Sequence, residues 1–337
     1  MIFEAIETLT QRNTLNTHQA EEAMAEIVSK KTTSAQIAAF LTALKMKGES
    51  AEEIIGGMRG IMRKAIAVET CRDNLMDLCG TGGDGQSTFN ISTISSFVAS
   101  GAGVNVAKHG NRSVSSRCGS ADLLEALGID LTLSPSKVAR GIDEFGYGFL
   151  FAPNFHPAMQ FALKPRQEIG VRTIFNILGP LVNPMRVKKQ LVGVYSADLL
   201  IPVAKALHLN GTEKALIIHS KDGLDEISIS AATQGILISQ DKMEEIEIAP
   251  EDFCIKRRKL DEIKTYSLDD NVEVFYKVLN AERGPERDIV VLNSGAAIHV
   301  SGLADDIREG IEMARESIDS GKTLELFSRY LSFSKRN

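Results

Sequence analysis

From residue 75 onward the chain alternates short apolar runs with longer segments of helical pattern, and this alternation limits the fold more than any other feature. Such a pattern is typical of a largely parallel sheet with helices packed on its faces. The predicted strands are Leu75 to Cys79, Val104 to Ala107, Phe149 to Phe151, Leu191 to Tyr195, Ala215 to Ile218 and Ile289 to Leu292. Ile227 to Ser230 and Gly235 to Ser239 are expected to form a hairpin-like pair, and Ala304 to Ile318 and Leu324 to Tyr330 to be helical.

The N-terminal part of the chain has a wholly helical pattern instead. Thr33 with Gln36 and Ser50 with Glu53 form capping boxes ahead of apolar residues at helical spacing, and Gly48 is expected to end the first of these two helices. A chain of 337 residues exceeds what one compact core usually holds. We therefore expect an α/β protein in two parts.

The predicted parts are a small all-helical lobe over residues 1–74 and a larger α/β lobe over residues 75–337 with a central, mostly parallel sheet. Residues 156–184 begin with a helical pattern that breaks at Gly179-Pro180 and Asn183-Pro184. This segment is expected to cross back to the helical lobe.

Composition excludes several classes of protein. The chain begins without the basic start and apolar centre of a secretion signal, and no stretch is apolar enough to span a bilayer, so we expect a cytoplasmic protein without a membrane partner. A net charge of -6 disfavours nucleic acid as a partner, and the basic run of residues 256–259 is interpreted as a solvated loop. The four cysteines have neither CxxC pairing nor zinc-ligand spacing, so neither a disulfide nor zinc is expected.

A glycine-rich loop follows the first predicted strand. Gly80, Gly82, Gly83 and Gly85 permit a ligand to approach the backbone without meeting a Cβ, which suits a phosphate. An isolated glycine-rich turn is more often a plain turn. Here it is followed at once by hydroxyl and amide groups that could cap the next helix, bind phosphate, or do both; they are Thr88, Asn90, Ser92 and Thr93.

Two further polar segments follow predicted strands. Lys108 and His109 come directly after the second strand, at the edge where ligands of open α/β sheets usually bind. Asp225 and Glu226 follow the fifth strand, and adjacent carboxylates of this kind suit Mg²⁺ that also binds substrate phosphates. Alone, each segment would more often be a solvated loop, but together they favour a site for a phosphate ester and a metal.

Six motifs in order give the chain a close resemblance, nearly end to end, to the anthranilate phosphoribosyltransferases, which join anthranilate to phosphoribosyl pyrophosphate in tryptophan biosynthesis. The motifs are Gly80-Thr81-Gly82-Gly83-Asp84, Asn90-Ile91-Ser92-Thr93, Lys108-His109-Gly110-Asn111, His156-Pro157-Ala158-Met159, residues 172–181 and Asp225-Glu226. The resemblance implies a nucleoside phosphorylase/phosphoribosyltransferase-like fold, in which residues of about 165–190 complete the helical lobe. It also implies a homodimer formed through that lobe.

The resemblance further implies the residues of the site. The positions for phosphoribosyl pyrophosphate are Gly80, Gly83, Asp84, Thr88, Asn90, Ile91, Ser92, Thr93, Lys108, Asn111, Ser116 and Ser120. The positions for anthranilate are Gly80, His109, Asn111, His156, Arg166, Gly179 and Pro180. Ser92, Asp225 and Glu226 fall on magnesium positions, with two Mg²⁺ ions expected.

The chemistry of the substrates agrees with these positions. A carboxylate on an aromatic ring needs a cation, and Arg166 can supply a bidentate one. The aniline nitrogen is neutral at physiological pH, so no dedicated catalytic base is expected, and catalysis would rest on positioning and electrostatics through an oxocarbenium-like state. Two alternatives remain open at this point: a pyrimidine nucleoside phosphorylase, and a non-enzymatic nucleic-acid-binding relative of the same fold.

Overall fold

A computed structural model describes residues 1–113, 118–240 and 242–335. The helices are α1 Ile2–Thr10, α2 Thr17–Val28, α3 Ser34–Lys47, α4 Ala51–Met62, α5 Ile91–Gly101, α6 Ser120–Ala126, α7 Pro135–Phe145, α8 Ala152–Phe155, α9 Gln160–Ile169, α10 Ile174–Leu178, α11 Leu200–Leu209, α12 Leu268–Leu279, α13 Pro285–Ser301, α14 Ile307–Asp319 and α15 Lys322–Lys335. The strands are β1 Met76–Gly80, β2 Val106–Gly110, β3 Tyr147–Phe151, β4 Lys189–Gly193, β5 Lys214–Ser220, β6 Thr233–Ser239 and β7 Lys242–Ile248. Across these ranges, no helix has both the length and the apolar character needed to cross a membrane.

One seven-stranded sheet forms the centre of the larger lobe, in the order β3-β2-β1-β4-β5-β6-β7. Strands β1 to β5 are parallel, and β6 and β7 add an antiparallel hairpin at one edge. One face of the sheet packs against α5 and α13 around Phe97, Leu216 and Ile298, and α14 and α15 pack on these two helices. The predicted fold class, a helical lobe beside an α/β lobe with a mostly parallel sheet, is confirmed.

The helical lobe is held together by a buried carboxylate as well as by apolar packing. Both predicted capping boxes form, at the starts of α3 and α4, and Gly48 ends α3. The buried side chain of Glu53 accepts hydrogen bonds from the backbone N–H of Leu15 at 3.0 Å and from the ammonium of Lys47 at 2.9 Å. Glu53 therefore fixes the α1–α2 loop against α3 and α4, in addition to capping α4.

The segment after β3 packs with the N-terminal helices. Ala162 of α9 and Phe175 and Leu178 of α10 belong to the same apolar core as α1 to α4. That core continues through α11 onto the sheet residues Val192 and Ile217, so the two lobes share a packed boundary. The boundary at residue 74 stays a prediction.

Two predicted strands are wrong. Ile289 to Leu292 lies inside α13, which is buried on all sides, so its apolar run has no helical periodicity to distinguish it from a strand. Ile227 to Ser230 is not a strand either: the amide of Asn293 hydrogen-bonds both backbone groups of Ile227, which holds that segment as a buried loop. The true partner of β6 is β7, a charged and mostly exposed edge strand.

Candidate active site

The sheet reverses its strand order beside β1, and this creates a crevice. After β1 the chain builds β2 and β3 on one side and then crosses to build β4 and β5 on the other, so β1 and β4 are neighbours. The carboxyl ends of such strands form a ligand crevice in open α/β sheets. Gly80 and Gly193 pair at the ends of these two strands, and the predicted glycine loop begins there. We call the paired ends of β1 and β4, at Gly80 and Gly193, the switch point.

Asp225 packs against both glycines of the switch point. A Cβ on Gly193 would overlap the backbone carbonyl of Asp225, and a Cβ on Gly80 would overlap its carboxylate. The backbone N–H of Gly82 donates a hydrogen bond to Asp225 Oδ2 at 2.7 Å. The absence of side chains on these strand ends therefore lets a carboxylate from the β5–β6 connection reach the crevice.

The glycine loop adopts the backbone that its composition predicts. Gly82, Gly83 and Gly85 have φ values of 65°, 74° and 77°, which L side chains rarely tolerate. Asp84 within the loop accepts a hydrogen bond from the backbone N–H of Gln86 at 3.1 Å. Its charge also raises the pKa of Asp225, so Asp84 is part of one acidic cluster with Asp225 and Glu226.

The first turn of α5 faces the same cluster. The backbone N–H of Ser92 donates to Glu226 Oε1 at 3.1 Å, while the hydroxyl of Thr93 is buried without a hydrogen-bond partner among the described residues. Asn90 precedes this helix, but its side chain does not cap it and instead donates to Asn271 Oδ1 at 3.0 Å. Polar groups at a helix N-terminus that the protein leaves unpaired suit an anionic ligand.

Burial and mutual repulsion raise the pKa values of the acidic cluster. Burial is the largest cause for both carboxyl groups: the pKa of Asp225 rises to about 7, with Asp84 adding repulsion, and that of Glu226 rises to about 8, with Asp225 adding repulsion. Carboxylates held together in this way fit a divalent cation, which would relieve the repulsion. Within the described ranges, no three His, Cys, Asp or Glu side chains converge as a complete ligand set. A cation here would thus need further oxygen ligands from substrate or water.

Lys108 of β2 reaches between β1 and the start of α5. Its side chain is buried, and its ammonium donates to the carbonyl of Leu78 and lies 3.4 Å from Ser92 Oγ. Its charge lowers the pKa of Glu226, against the effect of burial. The positive charge of Lys108 therefore stabilises the ionised form of Glu226 in the crevice.

His109 and His156 form a neutral, buried pair beside the switch point. Their rings meet edge to face at 5.3 Å. His109 Nδ1 donates to the carbonyl of Gly179 at 3.1 Å and His156 Nε2 donates to that of Val182 at 2.8 Å. Burial lowers both pKa values, that of His109 to about 3. The remaining ring nitrogens, which have no partner in the described parts of the chain, are therefore hydrogen-bond acceptors.

Arg166 carries an unpaired, half-buried charge in α9. Its guanidinium lies 5.1 Å from the ring centre of Phe175, and burial alone lowers its pKa. Residues 1–113, 118–240 and 242–335 provide it with neither an ion pair nor a hydrogen bond to the side chain. Phe175 belongs to α10, which ends at the Gly179 carbonyl bonded by His109, so α10 connects Arg166 to the histidine pair. An unpaired buried cation favours an anionic ligand.

The remaining predicted residues that the structure describes lie in loops or at the starts of helices. Asn111 Oδ1 accepts from the backbone N–H of Arg112 at 2.8 Å, and the Asn111 carbonyl accepts from the hydroxyl of Ser120 at 3.3 Å. Thr88 forms an isolated bridge with Lys264. Ser116 lies outside the described residues. Ile91 is the first residue of α5, and Pro180 follows Gly179 in a short 3₁₀ turn.

Two contacts at the site were not predicted from the sequence. Arg172 donates from Nη2 to the carbonyl of Gly83 and stacks over the ring of Tyr195 at 4.6 Å, so it joins the segment between α9 and α10 to the glycine loop. Asp77 is fully buried in β1, under His109. An acid inside an apolar strand could have indicated Asp77, but nothing local in the sequence indicates the partner of Arg172.

Family models match two parts of the chain. The helical bundle domain of a glycosyl transferase family matches residues 3–65, and the a/b domain of a glycosyl transferase family matches residues 72–324. Among curated proteins, the chain is similar to the anthranilate phosphoribosyltransferases of Persephonella marina, at 47% identity over 99% of both chains, and of Aquifex aeolicus, at 45% identity over 100% of this chain and 99% of the relative.

Solved structures show the same similarity. Anthranilate phosphoribosyltransferase from Thermus thermophilus superposes with a TM-score of 0.93 at 38% identity, covering 98% of this chain and 99% of that one. The enzyme from Saccharomyces cerevisiae in complex with PRPP and Mg has a TM-score of 0.90 at 29% identity, covering 99% and 97%. The same yeast enzyme in complex with 4-fluoroanthranilate has a TM-score of 0.89 at 29% identity over the same shares.

Proposed function

The chain belongs to the anthranilate phosphoribosyltransferase family, and we propose that it carries out the reaction of that family at the switch point between β1 and β4. The reaction transfers the phosphoribosyl group of 5-phosphoribosyl 1-pyrophosphate to the amino group of anthranilate. It yields N-(5-phosphoribosyl)anthranilate and pyrophosphate in tryptophan biosynthesis.

The main support for this location is that the chain offers two different groups of charges there: backbone donors beside acidic side chains, and an unpaired guanidinium. The backbone N–H groups of the glycine loop and the first turn of α5 lie together with the acidic cluster. The unpaired guanidinium of Arg166 lies over Phe175 of α10, the helix that ends at the Gly179 carbonyl bonded by His109. A doubly phosphorylated sugar and an aromatic carboxylate need these two environments.

Phosphoribosyl pyrophosphate would bind along the glycine loop and α5. Gly83, Ser92 and Thr93 offer backbone or hydroxyl groups to phosphate, and Lys108 adds a positive charge. The remaining proposed contacts are Gly80, Asp84, Thr88, Asn90, Ile91, Asn111, Ser116 and Ser120. The yeast relative solved with PRPP and Mg shares this fold and supports the proposal.

Mg²⁺ is used with phosphoribosyl pyrophosphate in the yeast relative, and the acidic cluster fits such a cation. Asp225, Glu226 and Ser92 would hold it, and we propose two ions. An ion held there would supply positive charge for the departing pyrophosphate. The chain itself contributes the fixed N–H groups of Gly82 and Ser92, which keep both carboxylates oriented.

Anthranilate would bind with its carboxylate on Arg166 and its amino group near the histidine pair. The free nitrogens of His109 and His156 can accept hydrogen bonds from the amino group, which would orient its lone pair toward the sugar. Gly80, Asn111, Gly179 and Pro180 would line the remaining path. Because the amino group is already neutral and both histidines stay neutral, the attack needs no prior proton removal.

We also propose that the protein forms a homodimer through its helical lobe and that it is located in the cytoplasm. The lobe exposes large apolar side chains, including Phe3 and Met46, which a second copy could cover. No nucleic acid or membrane is proposed as a partner.

A fluorescence assay that follows anthranilate tests the function. Loss of anthranilate fluorescence should require both phosphoribosyl pyrophosphate and Mg²⁺. A pyrimidine nucleoside phosphorylase would instead cleave a pyrimidine nucleoside with inorganic phosphate, and a nucleic-acid-binding relative would consume neither substrate. Anthranilate that persists with both additions present would contradict the proposed function.

A further inference from the structure

A buried hydrogen-bond network lies directly beneath the histidine pair, and Asp77 is its centre. Asp77 has no exposed surface. Its Oδ1 accepts from the backbone N–H of His109 at 3.1 Å, and its Oδ2 accepts from Asn183 Nδ2 at 2.8 Å. The thiol of Cys79 lies 3.6 Å from the same Oδ2.

Every group that faces Asp77 in this network is a donor. A backbone N–H, an amide NH₂ and a thiol can all be satisfied by a carboxylate, which only accepts. An amide at this position would direct its NH₂ group at the N–H of His109 or at the NH₂ of Asn183, whichever way it is turned. Burial raises the pKa of Asp77 to about 6, but the charge of Lys108 and these hydrogen bonds oppose that rise. The network is therefore built for an ionised side chain.

The same network holds the wall on which the acceptor is proposed to lie. Asn183 Nδ2 also donates to the carbonyl of Ala107 at 2.8 Å, so Asp77 and Asn183 together tie β1 and β2 to the segment that carries Gly179 and Pro180. The carbonyl of Pro180 is held in turn by Gln190 Nε2 at 3.0 Å. The Lys108 ammonium, in contrast, makes its hydrogen bonds to Leu78 and Ser92 and interacts with Asp77 only through charge.

We propose that Asp77 is a positioning residue for the aromatic acceptor: it fixes His109 and, through Asn183, the segment of the Gly179-Pro180 turn that His109 contacts. This inference rests on the proposed function. It predicts that loss of the carboxylate disturbs anthranilate more than phosphoribosyl pyrophosphate, because the groups proposed to bind pyrophosphate have other supports.

The test compares Asp77→Asn with the exchange variant Asp77→Asn/Asn183→Asp. In the exchange variant the amide at position 77 can accept from His109 and donate to the carboxylate at position 183, which restores the central hydrogen bond and the buried charge. We expect KM for anthranilate to rise about tenfold in Asp77→Asn while KM for phosphoribosyl pyrophosphate stays within about twofold. The exchange variant should recover part of the anthranilate KM, because the central bond returns while the Ala107 carbonyl loses its donor and faces a carboxylate oxygen instead.

Asp143→Asn is the matched control, because Asp143 also accepts from a backbone N–H, that of Cys71 at 2.9 Å, but lies on α7. It should leave both KM values unchanged. Equal changes in the two KM values of Asp77→Asn, no change in either, or an exchange variant as impaired as the single one would overturn the inference. If Asp77→Asn does not fold, Asn183→Ala, which keeps the bond between Asp77 and His109, should still raise KM for anthranilate alone. A wild-type protein that does not consume anthranilate would refute the proposed function instead.

Discussion

The carboxylate of Asp225 occupies the space in which a side chain on Gly80 would begin. Gly80 ends the first strand of the sheet, whereas Asp225 follows the fifth, and Gly82 donates the hydrogen bond that fixes the carboxylate there. The glycine is thus required for the position of an acidic side chain as well as for access to the backbone.

Gly80→Ala should therefore impair catalysis by displacing Asp225. The new methyl group would meet a carboxylate that is buried and backed by the chain, so neither side can move cheaply. We expect kcat/KM to fall at least about tenfold and the half-saturating Mg²⁺ concentration to rise. Gly284→Ala is the control, because a Cβ there meets only the flexible end of Glu286. Unchanged Mg²⁺ dependence in Gly80→Ala would contradict the displacement of Asp225.

Local patterns predicted most of the parallel sheet and the glycine loop of the switch point, because a glycine-rich turn after an apolar strand is specified by adjacent residues. The errors have non-local causes. Residues 289–292 belong to a helix buried between other helices and the sheet, so their apolar run has no helical periodicity. The strand β7 was missed because its charged sequence is stabilised by pairing at a sheet edge. Residues 227–230 look like a strand, but Asn293 takes up the backbone groups that a strand would pair.

In the candidate site, too, adjacent residues could be predicted from the sequence, whereas contacts between distant segments could not. The sequence indicated Asp225 and Glu226 as an acidic pair, but it could not show that Asp84 joins them, since that contact depends on folding of the glycine loop. The link from Arg172 to Gly83 is equally invisible in the sequence, because it connects distant segments. The roles assigned to individual site residues stay predictions, which the following experiments test.

Arg166→Ala should mainly weaken anthranilate binding. A hydrogen-bonded charge pair contributes about 1.5–3 kcal/mol, so we expect KM for anthranilate to rise roughly ten- to hundredfold, with a smaller change in kcat. Arg166→Lys should recover only part of this loss, because lysine cannot form the bidentate pair. Arg140→Ala is a matched control: that guanidinium also lies over a ring, 5.5 Å from the centre of Phe333, but on the far helix α7. An unchanged anthranilate KM in Arg166→Ala would show that the carboxylate binds elsewhere.

Asp225→Asn should lower the activity and raise the stability of the protein. The amide retains an oxygen for the Gly82 N–H but removes a negative charge from the acidic cluster. In EDTA we expect the free energy of unfolding to increase by an amount on the order of 1 kcal/mol, because repulsion with Asp84 and Glu226 is relieved. The half-saturating Mg²⁺ concentration should rise about tenfold and kcat should fall. Asp319→Asn, which changes a surface partner of Arg287, should alter neither; wild-type Mg²⁺ dependence in Asp225→Asn would argue against a metal at this cluster.

His109 should make the stability of the protein depend on pH. Its pKa is about 3 in the folded state and about 6.5 when unfolded, so below pH 6.5 the unfolded chain takes up a proton that the folded protein does not. Stability from this group is therefore complete above pH 6.5 and is lost as the pH falls toward 3, at about 1.4 kcal/mol per pH unit. His156 acts in the same direction, whereas Asp77, whose pKa is raised to about 6, acts in the opposite one.

Comparison with His109→Asn isolates the contribution of this one ring. Urea unfolding at pH 7.5 and 5.5 should show the wild type losing about 1.4 kcal/mol relative to the variant, since the effects of His156 and Asp77 are common to both proteins. Between pH 7.5 and 8.5 the difference between the two proteins should stay constant. A constant difference down to pH 5.5 would mean that His109 is protonated as easily in the folded state as in the unfolded chain.

The helical lobe should carry the contact between two copies of the chain. Phe3 of α1, Met46 of α3 and Leu163 of α9 are 72%, 75% and 49% exposed, and α3 packs against both other helices, so these side chains lie on neighbouring elements. Sedimentation velocity should show a dimer for the wild type and a monomer for Phe3→Glu/Met46→Glu, because two buried charges oppose association. Leu209→Glu replaces a side chain that is 58% exposed in the α/β lobe and should remain dimeric. A monomeric wild type, or a double variant that stays dimeric, would place the interface elsewhere or remove it.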